Sequence, residues 1–249
     1  MKARAHLRLL IALLLASAAA RAQQVTVTAR VAWINGAAAH QENSEHEKHR
    51  KPAKNGVVVW LVPIGAPAPR ILPASLPHPR LVQKNKSFQP HLLVVPVGSL
   101  VEFPNRDPFF HNVFSLFEGK RFDLGLYEAG STRDVLFDKP GVSYIFCNIH
   151  AEMSAVVIAL QTPYYAISDL RGQIAIPLVP AGHYTMHVWY EAALPETLNS
   201  LAREVTVSEG NPTLGLLGLP TPGAPATHLD KYGQEYNPSS PINPAYQQP

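Results

Sequence analysis

The chain has 249 residues, 46% of them hydrophobic and 16% charged, with 24 Pro, 15 Gly and a single Cys. Proline and glycine at this density exclude a long helical protein, the apolar content argues against disorder as the main state, and one cysteine excludes a disulfide framework or a zinc finger. The formal charge of +3 does not point to nucleic acid, because residues 1–22 hold four of the 21 basic residues and none of the 18 acidic ones, leaving the remainder close to neutral.

Residues 1–22 read as a secretory signal. Lys2, Arg4 and Arg8 precede an apolar run over residues 9–15, and small residues lead to Ala20-Arg21-Ala22, an A-x-A cleavage pattern. The run is too short to span about 30 Å of hydrocarbon, and no later stretch approaches the roughly 20 apolar residues of a spanning helix. No Cys follows the small residues to take a lipid anchor. The expectation is an exported, soluble protein, periplasmic or extracellular.

Beyond the signal, Val25, Val27, Ala29, Val31 and Trp33 alternate with polar residues and predict a strand. Residues 40–54 are highly charged and read as a solvated loop. His40, His46 and His49 among its glutamates leave auxiliary metal binding open, although the spacing is not that of a His-Glu-x-x-His zinc protease. Residues 57–62 form a continuous apolar run, a buried strand, and the Pro-rich stretch over 65–82 reads as a linker. Strands are expected over 92–97, 100–103, 113–117, 132–137, 143–147 and 154–160, with 105–110 a loop and 119–130 irregular. A further block follows, with a turn at 169–172 and strands over 173–178, 183–190 and 204–207. Residues 209–249, rich in Pro, Gly, Ser, Asn and Gln, read as a disordered tail. Many short strands with turns about every ten residues predict an all-β fold class, an antiparallel sandwich or barrel.

The chemistry concentrates in Cys147-Asn148-Ile149-His150-Ala151-Glu152-Met153, between two expected strands, and in His111-Asn112-Val113, where another begins. Each residue has a plain reading: Cys147 a buried core thiol, Met153 core filling, His111 and His150 surface histidines. Together they supply thiol, thioether and two imidazoles, the donor set of a mononuclear blue-copper site. In an oxidising compartment an unpaired Cys147 is buried and inert, paired between chains, or held by a metal. Cys147 with His150 as nucleophile and base is the weaker alternative. No His-x-His occurs, which argues against an oxygen-reducing multicopper cluster.

On these residues the block 83–162 resembles the cupredoxins of the plastocyanin and amicyanin group. His111-Asn112-Val113 matches the first-ligand motif, and Cys-x2-His-x2-Met has the short amicyanin loop, where plastocyanin and pseudoazurin place four residues between His and Met. The resemblance implies a Greek-key cupredoxin sandwich holding one copper ion. His111, Cys147 and His150 would be equatorial ligands and Met153 axial. Asn112, and with it Asn105, would hydrogen-bond across to the cysteine loop. His150 would lie nearest solvent, where electrons pass to and from a redox protein partner.

The whole chain resembles the periplasmic proteins labelled "methylamine utilization protein", through residues 83–88, 147–150 and 180–184; Ala151-Glu152 departs from the aromatic acidic pair frequent in that group. Residues 23–64 and 163–208 resemble two halves of a carboxypeptidase-regulatory-like β-sandwich, into which the copper domain is inserted unless the two are separate lobes or extra strands on the copper domain. The resulting expectation is a monomeric electron carrier, not an enzyme, with no membrane anchor and no nucleic-acid partner. Copper storage, delivery or sensing, or an interaction module with a vestigial site, remain the alternatives.

Overall fold

The computed structural model describes residues 24–34, 56–69, 78–116, 119–221 and 228–236. The signal at 1–22, the His/Glu loop at 40–54 and residues 70–77 of the Pro-rich stretch lie outside the described residues. Strands β1 (Gln24–Ile34) and β2 (Val58–Pro63) come first. The middle block contributes β3 (Val82–Gln83), β4 (Phe88–Gln89), β5 (Leu92–Pro96), β6 (Ser99–Pro104), β7 (His111–Ser115), β8 (Phe122–Tyr127), β9 (Thr132–Phe137), β10 (Gly141–Cys147) and β11 (Ser154–Leu160). After it come β12 (Tyr165–Ile167), β13 (Gln173–Pro180), β14 (Gly182–Trp189), helix α1 (Pro195–Leu201), β15 (Arg203–Val207) and β16 (Thr213–Pro220).

The fold is all-β, and its sheets stack in layers. The outermost is three-stranded, β13-β1-β16, and the next four-stranded, β12-β2-β14-β15. Val27, Ala29 and Val31 of β1 face Leu61, Met186 and Val188 across one apolar core. The third layer is five-stranded, β5-β11-β10-β7-β8, with β5 running parallel to β11. Opposite it lie the small sheets β6-β9 and β3-β4, and a second core of Phe103, Phe137, Val113, Ile145 and Val157 fills the space between, a cupredoxin-like sandwich.

The two sandwiches meet back to back. Val58 and Trp189 pack against Val156, Ile158 and Leu160. Two strands are therefore buried on both faces, β2 and β11, and both read as unbroken apolar runs rather than alternations. The turn at 169–172 is closed by Asp169, whose carboxylate accepts the backbone N–H groups of Arg171 and Gln173 at 2.9 and 2.8 Å. Gly172 sits there at φ 74°, where a side chain would be strained and would crowd Val31.

Three expectations are corrected. Residues 119–130 are not irregular: β8 pairs antiparallel with β7. The linker does not extend to residue 82, since Leu81 is fully buried and its N–H donates to the carbonyl of Glu102. The segment from 209 is not a disordered tail over its described part. β16 pairs parallel with β1 and buries Leu214, Leu217 and Leu219, and residues 228–236 pack on the middle sandwich. Apolar burial outweighs the Pro/Gly composition there.

Candidate metal centre

Cys147 ends β10 and points into the core between the sheets, while Phe146 before it faces outward, as strand alternation requires. β10 pairs with β7 through Cys147 and Val113, which brings His111, two residues earlier, beside the sulfur. The following loop returns at once. The Met153 N–H donates to the His150 carbonyl at 3.0 Å, and the Cys147 N–H donates to the Met153 carbonyl at 3.1 Å. This turn sets His150 against the same sulfur.

Cys147 Sγ lies 3.5 Å from Nδ1 of His111 and 3.5 Å from Nδ1 of His150. The ligand atoms of the three residues all lie within 4.8 Å of one another, close enough to hold one metal ion. Met153 is fully buried in the same core, on the loop that carries His150. His111 is fully buried, whereas His150 is only partly covered, at the loop edge beside Phe109.

The electrostatics favour neutral, lone-pair-bearing imidazoles. Burial, followed by the nearby charges of His111 and Lys86, brings His150 down from 6.5 to about 4. Burial also holds His111 below its ordinary value, against the opposing pull of Asp107. Burial raises the Cys147 thiol, although the backbone N–H groups of Ile149, Asn112 and His150 lie against it and favour the anion. A thiol so placed becomes a thiolate when a cation binds it.

Sequence reasoning missed Asp107. Its Oδ2 lies 2.9 Å from Nε2 of His111, and the carboxylate is itself buried. An Nε2–H donated to this carboxylate leaves Nδ1 with its lone pair facing Cys147. Asp107 also accepts the backbone N–H groups of Asn85 at 2.6 Å and Lys86 at 2.9 Å. Asn85 and Lys86 have φ of 56° and 52°, the mirror-image hairpin turn between β3 and β4. Burial pulls the carboxyl up, but the Lys86 N–H, the His111 ring and the Asn85 N–H outweigh it, and Asp107 ends below the usual range. The available signal was the four-residue step from Asp107 to His111; its meaning depends on a turn some twenty residues earlier.

Of the two asparagines, only Asn112 bonds to the cysteine loop. Asn105 does not reach the cysteine loop. Its Nδ2 donates to the Phe109 carbonyl at 2.8 Å and its Oδ1 accepts the Asp107 N–H at 3.0 Å, so it shapes the loop that holds Asp107. Asn112 does reach the cysteine loop, but through main chain: its carbonyl accepts the Asn148 N–H at 3.1 Å, while its side chain donates to Asp123 at 2.7 Å.

No family model matches the chain, and no curated protein matches it. Solved structures match over part of it. A purple cupredoxin from Nitrosopumilus maritimus is 24% identical, over 32% of this chain and 96% of that one, with a TM-score of 0.30. An oxidised amicyanin variant is 16% identical, over 41% and 98%, at 0.32. A copper-containing nitrite reductase from Thermus scotoductus SA-01 is 27% identical at 0.32, over 40% of this chain and 25% of the enzyme, so the chain spans about a quarter of its length. None of the three likenesses extends over half of this chain.

Proposed function

We propose that this chain is an exported blue-copper protein that carries single electrons between redox partners and is not itself an enzyme. The observation that carries the reading is the convergence of one thiol and two imidazole Nδ1 atoms at 3.5 Å from the sulfur. Soft sulfur with two imidazoles, and a buried thioether on the same loop, is a donor set that suits copper. Bound there, copper supplies a one-electron Cu(II)/Cu(I) couple.

In this reading His111, Cys147 and His150 are the equatorial ligands of one ion and Met153 the weak axial one. The chain's own residues hold the geometry: Asp107 orients His111, and the closed turn from Cys147 to Met153 keeps the remaining donors in place. A preset arrangement of this kind leaves little to rearrange when an electron moves. Partly exposed His150 marks the edge at which a redox protein docks, in a small, transient contact. The middle sandwich is an insertion between the halves of the carboxypeptidase-regulatory-like one, and residues 1–22 are the export signal.

Titration with Cu(II) tests the reading. One equivalent should produce an intense thiolate-to-copper band in the red, and Cys147→Ser should abolish it. A red band that persists in Cys147→Ser removes the assignment.

A further inference from the structure

The five-stranded sheet that carries Cys147 has its outer face covered by two separate parts of the chain. Val156 and Ile158 are covered by the flanking sandwich. Phe114 and Phe146 are covered by residues 228–236. The His228 ring lies 4.4 Å from that of Phe146 and 6.5 Å from that of Phe114, with Tyr236 5.3 Å from His228.

The segment also bonds to the cysteine loop. The Tyr236 hydroxyl donates to the carbonyl of Cys147 at 2.6 Å. The Lys231 backbone N–H donates to Oδ1 of Asn148 at 2.8 Å. The Lys231 ammonium donates to Oδ2 of Asp123 at 2.8 Å, and Oδ1 of that carboxylate accepts from Asn112, the neighbour of His111. Asp230 stiffens the turn between them by accepting the N–H groups of Tyr232 and Gln234.

We propose that residues 228–236 form a clasp that sets the position of the cysteine loop, with Tyr236 and Lys231 as positioning residues for the metal centre. A hydrogen bond to the Cys147 carbonyl fixes the peptide plane between Cys147 and Asn148. That plane governs the direction of the Asn148 N–H, which tethers the loop to Asn112, and the start of the turn that places His150. A segment that merely covered Phe146 would need its rings and not its hydroxyl.

The inference rests on the copper reading for its spectroscopic arm alone. Full-length Tyr236→Phe keeps the ring and removes one oxygen. In metal-free protein, amide hydrogen exchange over residues 147–153 should quicken about tenfold, the scale of one lost hydrogen bond to a buried carbonyl. Lys231→Met should quicken it less and Lys231→Arg should hold it near the wild-type rate. In copper-loaded protein, Tyr236→Phe should shift the red band while Tyr184→Phe, the same change in the flanking core, leaves it in place. Unchanged exchange over 147–153 together with an unchanged band in Tyr236→Phe overturns the clasp. A wild-type protein without the band overturns the copper reading instead, and the exchange rates still decide the clasp.

Discussion

The flanking and middle sandwiches have apolar cores of similar make-up, Val, Leu, Ile and aromatic rings in both. They differ in what else they bury. Apart from tyrosine hydroxyls, the buried polar residues among those described fall almost all in the middle one: Gln83, Asn105, Asp107, His111, Asn112 and three serines, with Thr162 at the junction. Each must find hydrogen bonds or lose stability. Where burying such groups weakens a fold and they nonetheless cluster, they mark the region that does more than pack. The flanking sandwich serves as the reference that makes the contrast visible.

The largest expected effect separates stability from site. Ile176→Ala, in the flanking core, should cost about 2–5 kcal/mol by cavity formation and leave the copper band where it is. Thermal unfolding with a spectrum of the loaded variant checks this, and a displaced band would show that the flanking core also sets the geometry of the site.

Asp107→Asn should do the opposite. It weakens the bond that orients His111, and copper affinity should fall about 10–100-fold, as for other outer partners of metal-bound histidines. Competition with a chelator measures it. Affinity equal to wild type would make Asp107 a loop staple and nothing more.

The smallest effect is a slope with pH. The unfolded chain takes up a proton on His150 near 6.5, whereas the folded one does so only near 4. Acidification across that window therefore favours the unfolded state, and the melting temperature of the metal-free protein should fall between pH 6.5 and 4. His150→Gln should flatten the decline; an equal decline in the variant assigns it to other groups.

Legibility followed the regularity of each strand. β9 and β11 match the expected bounds residue for residue, because their patterns are uninterrupted. β8 and β16 escaped notice for a shared reason. Opposite β8 the pairing steps from Asn112↔Leu126 to Phe114↔Asp123, and opposite β16 from Thr28↔Thr213 to Arg30↔Leu216. Each has an extra residue, with Gly125 or Gly215 at positive φ. A bulge shifts the inward face by one, so period two fails within the strand. In the site, the four ligand candidates stood out because their residue types are chemically distinctive. Asp107 did not, since a lone Asp before a His is unremarkable until a distant hairpin aims two N–H groups at it.

Strand β1 lies at the centre of its sheet, yet both its neighbours come from far downstream, and Thr28 meets Thr213 185 residues later. During synthesis at roughly 5–20 residues per second, β1 waits on the order of ten seconds for β16. Meanwhile hairpins such as β10–β11 assemble from adjacent chain. Connectivity makes the strands of the middle sandwich available first, the outermost layer closes only with β16, and the clasp over residues 228–236 follows it. Until β13 is made β1 presents two unpaired edges, and until β16 follows it still presents one, a template for joining another nascent chain. Arg30, exposed on its outward face, places a charge on that waiting strand and makes a stranger a poor partner.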